Sequence, residues 1–140
     1  MLFIYWLEDV EPYSERIASI RRRMATRGDR LCTSIFTMGE LLVAPVKQGD
    51  LRMEQAITAY FSSSDLEVLN FDRAAVRRYA SIRAAGRGKP ADAIHLACAA
   101  QAGVDLFLTN DAAVRKQVVP GIQFIDGLDT TVLGEDSEAS

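Results

Sequence analysis

Apolar residues recur at helical spacing over residues 13–27, where Ile17, Ile20 and Met24 share a face and Gly28 follows as a stop. Residues 31–36 are short and partly β-branched, bounded by Gly28 and by a capping signal from Thr37 to Glu40, which predicts a strand. A helix is predicted from Met38 to near Pro45. Asp50 is a good N-cap for the next, which carries Met53, Ile57, Tyr60 and Phe61 to a serine-rich turn at residues 62–64. Residues 66–69 read as a second strand. Asp72 caps a helix bearing Val76, Tyr79 and Ile82 that stops at Gly86. Pro90 then opens a helix over residues 91–102 that is apolar almost all round and is therefore predicted to be enclosed. A third strand over residues 104–108, a short helix after Asp111 and a last strand over residues 122–125 complete the pattern. Strands alternating with helices predict an α/β fold with a mostly parallel sheet.

At 140 residues, 49% hydrophobic and 25% charged, the chain has the size and make-up of one globular domain. Residues 1–128 are assigned to that domain and residues 129–140 to an acidic, flexible tail. The two cysteines, Cys32 and Cys98, sit in apolar segments with no second Cys or His at metal spacing. They are expected to be reduced core residues, which excludes a zinc ribbon and a disulfide-stapled mini-protein. The apolar run at residues 2–7 is cut off by Glu8, Asp9 and Pro12, too short for a membrane span and without signal-peptide flanks. A cytoplasmic protein with no membrane partner is expected. The net charge of −3 excludes a general polyanion binder, because non-specific nucleic-acid affinity comes from neutralising phosphates with Lys and Arg.

In open α/β sheets, ligands bind beyond the carboxyl ends of the strands, so acids near those ends are the candidates for chemistry. Glu40 follows the first predicted strand by one helical turn, Asp111 follows the third directly, and Asp92 lies in the first turn of the enclosed helix. Carboxylates facing one cleft repel each other and call for a cation. Hard oxygen donors select Mg²⁺ or Mn²⁺, ions that activate water and stabilise a developing phosphate oxyanion. Each acid also has a structural role open to it: Glu40 in a capping box with Thr37, Asp92 as a helix-dipole acid, Asp111 as an N-cap.

Other candidates are weaker. His95, the single histidine, shares a helix face with Asp92 and is expected to be structural or to support the acids, since one histidine builds neither a zinc site nor a triad. Residues 86–90 (Gly-Arg-Gly-Lys-Pro) lack the remaining elements of a phosphate loop. The Arg21–Arg23 run and Arg77, Arg78, Arg83, Arg87 and Lys89 read as solvated helix faces, with contact to an RNA backbone as the sharper alternative.

Four segments carry a family resemblance: residues 2–9 (LFIYWLED), 37–41 (TMGEL), 90–97 (PADAIHLA) and 107–111 (FLTND). In this order and spacing they resemble the successive motifs of the PIN-domain family, and most nearly the VapC-type ribonuclease toxins of toxin–antitoxin pairs. The resemblance runs to about Asp126. It implies a Rossmann-like parallel sheet flanked by helices and a cleft of acids that binds Mg²⁺ or Mn²⁺ and cleaves RNA. A cognate antitoxin protein would hold the activity in check, and a homodimer is common among such proteins. Glu40, Asp92 and Asp111 match three of the family's acids as metal ligands and catalytic residues, and Thr109 and Asn110 match a polar pair beside the last.

One departure matters. The family opens with a central apolar strand ending in an Asp, and Met1 aligns just after it, so that strand and acid are expected to lie before Met1. Glu8 and Asp9 are poor substitutes, lying about 10 Å further along a helix at ~1.5 Å per residue. An active nuclease and a catalytically silent module that binds RNA or an antitoxin without cutting therefore differ at this one acid. A structural α/β protein whose acids are only caps is the third reading.

Overall fold

The computed structural model describes residues 13–86, 88–130 and 133. The apolar run at residues 2–7, with Glu8 and Asp9, lies outside the described residues, as do residues 131–132 and 134–140 of the segment read as a tail. Of that segment's beginning, Thr130 is buried and its carbonyl accepts a hydrogen bond from Arg23 Nη1 at 3.2 Å.

Helix α1 (Tyr13–Arg27) has an acid, Glu15, in its first turn and Arg27 in its last, both favourable to the helix dipole. It buries Ile20 and ends at Gly28, whose φ of 75° allows the Asp29 amide to reach the Met24 carbonyl at 2.9 Å. Strand β1 (Cys32–Ser34) leads directly into α2 (Ile35–Gln48). The sequence pattern placed a strand over residues 31–36 and a helix from Met38 to Pro45. The strand is shorter, and the helix starts earlier and runs past Pro45. Leu41 and Pro45 lie one turn apart and both are buried, so packing holds the turn in which proline removes a backbone bond. Gly49, in the left-handed region at φ 65°, closes the helix.

Helix α3 (Leu51–Phe61) begins at Asp50, whose carboxylate accepts from the Met53 amide at 3.1 Å. It packs on α2 to enclose Leu41, Ile57, Phe61 and Leu66. Strand β2 (Glu67–Leu69) then pairs in parallel with β1, Thr33 opposite Val68. Asp72 caps α4 (Arg73–Ala84) through the Ala75 amide at 2.9 Å.

Helix α5 (Pro90–Ala102) has proline at its first position, where the missing N–H removes no helical bond. Ala93, Leu96, Ala97, Cys98, Ala99 and Ala100 are all buried, so the helix is enclosed as its composition predicts. Its alanines permit close approach of α4. Strand β3 (Leu106–Leu108), the single-turn α6 (Ala112–Arg115) and β4 (Phe124–Asp126) follow, with β3 and β4 parallel. Leu96, Ala99 and Ala100 pack there with Val114, Val119 and Ile122.

The strand pairs among the described residues are both parallel, in line with the mostly parallel sheet that the alternating pattern predicts. Among the described residues, however, the strands form two separate pairs, β1–β2 and β3–β4, instead of one sheet. Residues of β1 and of β3 border the same cavity, of about 790 Å³. The sequence could not show this division, because pairing partners are chosen by tertiary contact.

Candidate active site

The cavity between the two strand pairs collects the candidate acids. Glu40, Asp92 and Asp111 all border it, together with Ser34, His95 and Asn110. Each arrives on a different element. Glu40 projects from α2, which β1 positions; Asp92 lies in the first turn of α5; Asp111 follows β3 after the turn at Thr109 and Asn110.

The structural roles open to the three acids resolve differently. Glu40 is not part of a capping box, because α2 starts at Ile35 and its N-cap is Ser34. Instead Glu40 Oε1 lies 2.6 Å from His95 Nε2, a contact between half-buried side chains. His95 is therefore bonded to Glu40, not merely on Asp92's face. Asp111 is an N-cap: its Oδ1 accepts from the amides of Ala113 at 2.8 Å and Val114 at 3.3 Å. The Asp111 amide in turn donates to Thr109 Oγ1 at 3.1 Å. Asp92 sits where a first-turn acid complements the helix dipole, and its half-buried carboxylate has no hydrogen-bond or ion-pair partner among the described residues.

The donor chemistry suits a hard divalent cation: three carboxylates on one cavity, each keeping at least one oxygen free of hydrogen bonds from the described residues. The described residues do not, by themselves, bring three His, Cys, Asp or Glu side chains into one metal-holding group. The pairing that is closed is Glu40 with His95.

His95 continues the contact on its other side. Its Nδ1 lies 2.6 Å from Ser34 Oγ and 3.5 Å from Thr37 Oγ1, and the Phe36 ring tilts against the imidazole at 5.4 Å between centroids. Ser34 was not a candidate in the sequence, because it is separated from His95 by 61 positions and carries no motif.

Cys32 also borders the cavity, but burial pushes its thiol up and the Glu67 carboxylate adds to this, against a lowering effect of Arg30. A thiol held protonated is a poor nucleophile. Burial likewise raises Cys98, with Asp72 adding to it; both cysteines are free, but only Cys98 is a core residue, whereas Cys32 is half-buried beside Glu67. Beyond the cavity, Asp126 at the end of β4 is bound by Arg115 at 2.6 Å. Desolvation raises its carboxyl, but the Gly127 amide, Thr130 and Arg115 more than offset this and hold it below the usual value.

The arginine runs are only partly solvated. Arg21 donates to the Tyr60 hydroxyl at 2.9 Å, and Arg78 to Gln101 and to the Pro120 carbonyl, both at 2.9 Å. Among the described residues, no helix is long and apolar enough to cross a membrane.

Parallel strands joined by helices, with Glu40 and Asp111 following β1 and β3 onto one cavity, define an α/β protein of the Rossmann-like class. The chain belongs to the PIN domain family, whose model matches residues 2–118. PIN domains are generally nucleases that act on RNA or DNA. No curated protein matches the chain.

Proposed function

We propose that this PIN domain is a metal-dependent endoribonuclease of VapC type, hydrolysing RNA phosphodiester bonds and neutralised by a cognate antitoxin protein. The observation that carries the reading is that Glu40, Asp92 and Asp111 border one cavity, with the Asp92 carboxylate lacking a partner among the described residues. A half-buried carboxylate with no donor is unfavourable unless a cation or solvent satisfies it. Glu40, Asp92 and Asp111 would hold Mg²⁺ or Mn²⁺, which supplies activated water and charge stabilisation for a phosphate oxyanion. Within the chain, the α6 amides orient Asp111, His95 orients Glu40, and Asn110 offers an exposed amide beside the acids.

A second reading, an RNA- or antitoxin-binding module that does not cut, draws on the lack of a closed three-donor group among the described residues. One experiment separates them. The protein is incubated with a mixed-sequence RNA in Mg²⁺, Mn²⁺ or EDTA, alongside Asp92→Asn. The nuclease reading requires cleavage by the wild type that EDTA and the substitution both abolish. RNA retention without cleavage in either metal selects the second reading.

A further inference from the structure

Four described helices take a capping residue of the favoured Ser/Asp type, and one of them goes without the cap bond. Asp50, Asp72 and Asp111 each accept from amides of the helix they begin. Ser34 stands at the N-cap of α2 with extended geometry, φ −76° and ψ 152°, yet its side chain makes no cap bond. Capping is the favourable local use of a serine at such a position. Its hydroxyl is turned instead onto His95 Nδ1 at 2.6 Å, and Ser34 is only 4% exposed.

The direction of this chain of bonds follows from the groups. An ionised Glu40 only accepts, so His95 Nε2 carries the proton that bonds Oε1. In a neutral imidazole Nδ1 is then the acceptor, and Ser34 must donate to it. The order is Ser34 hydroxyl to Nδ1, then Nε2–H to Glu40 Oε1. Hydroxyl and imidazole together leave Glu40 Oε2 as the oxygen with no protein partner among the described residues.

We propose that Ser34 is a positioning residue. It gives up the α2 cap to hold the ring plane of His95, whose tautomer Glu40 sets, and through His95 it presents Glu40 Oε2 to a divalent cation. The inference rests on the reading of Glu40 as a metal ligand. Partners that orient a ligand in this way typically alter metal affinity by about 10–100-fold when removed.

The test uses the full chain and Mn²⁺ alone, without RNA. Imidazole ¹⁵N shifts report the His95 tautomer in metal-free protein, and Mn²⁺ titration followed by electron paramagnetic resonance reports affinity. The wild type should show the single Nε2–H tautomer. Ser34→Ala should keep that tautomer, shift the Nδ1 resonance as it loses its hydroxyl donor, and weaken Mn²⁺ binding about tenfold. Ser34→Thr, which keeps the hydroxyl, should restore both. Ser34→Cys keeps the volume but donates weakly, and should behave as the alanine does even where Ser34→Ala folds poorly. An imidazolium spectrum in the wild type, or an Nδ1 shift and Mn²⁺ affinity unmoved in Ser34→Ala and Ser34→Cys, overturns the proposal. Glu40→Gln separates the two levels. If it weakens Mn²⁺ binding while the Ser34 variants do not, only the positioning role fails; if it has no effect, Glu40 is no ligand and both readings fall.

Discussion

Glu40 Oε1 and His95 Nε2 lie 2.6 Å apart although 55 positions separate the two residues, so a hydrogen bond ties α2 to α5 on the lining of the cavity. Glu40→Gln keeps an acceptor for Nε2–H and removes the charge. It should leave the thermal midpoint nearly unchanged while RNA cleavage falls to background. Glu40→Ala strands a half-buried donor and should cost about 1–3 kcal/mol of stability. Chemical denaturation of both variants beside a cleavage assay checks this. Equal stability loss in the two would mean that the charge, not the bond, joins the helices.

Asp111 combines a cap with a candidate ligand, and two substitutions pull these roles apart. Asparagine caps a helix about as well as aspartate, so Asp111→Asn should fold normally and lose cleavage. Asp111→Ala should lose cleavage and about 1 kcal/mol of stability besides. Unimpaired cleavage by Asp111→Asn would confine the residue to capping α6.

Arg115 binds Asp126 at 2.6 Å and Asp129 at 3.0 Å. The folded Asp126 carboxyl lies below its ordinary value of 3.8. Its stabilising contribution is therefore complete above that value and is lost as pH falls through the lowered folded one. Arg115→Gln removes one of the lowering influences and should narrow the stability difference between pH 6 and pH 3. Arg115 is partly exposed, so the effect at pH 6 should stay within about 1 kcal/mol. Melting curves across that range measure it, and parallel curves for wild type and variant would contradict it.

Strands β1 and β3 border one cavity from separate sheets. Among the described residues each has one edge without a strand partner, and an added parallel strand there would pair both. An N-terminal extension encoding a short apolar strand ending in Asp-Ser should therefore raise both solubility and metal-dependent RNA cleavage. The same extension ending in Ala-Ser should raise solubility alone. If the 140-residue chain already cleaves as fast as the Asp-Ser version, a further acid is dispensable and this prediction fails.

What the sequence by itself determined is what a few neighbouring residues decide. The caps at Asp50 and Asp72 and the stop at Gly28 are legible because the donor or the turn lies within five positions of the capping residue. The enclosed α5 is legible because no face of it is polar enough for solvent. The acids stood out because strand ends are where α/β folds place ligands.

The tertiary structure decided the rest. Residues 35–36 favour a strand locally, yet they enter α2, because the helix that buries Thr37, Leu41 and Pro45 must begin before them. Likewise, the capping signal at Thr37 was local and plausible, but Ser34 and Glu40 found a partner in His95, 61 and 55 positions away. Such a contact has no local signature: it exists only once β1 and α5 are packed together, and only then can a serine leave its own helix unbonded to hold a histidine. The division of the strands into two pairs is of the same kind, since a strand's pattern specifies which face is buried but not which edge it meets.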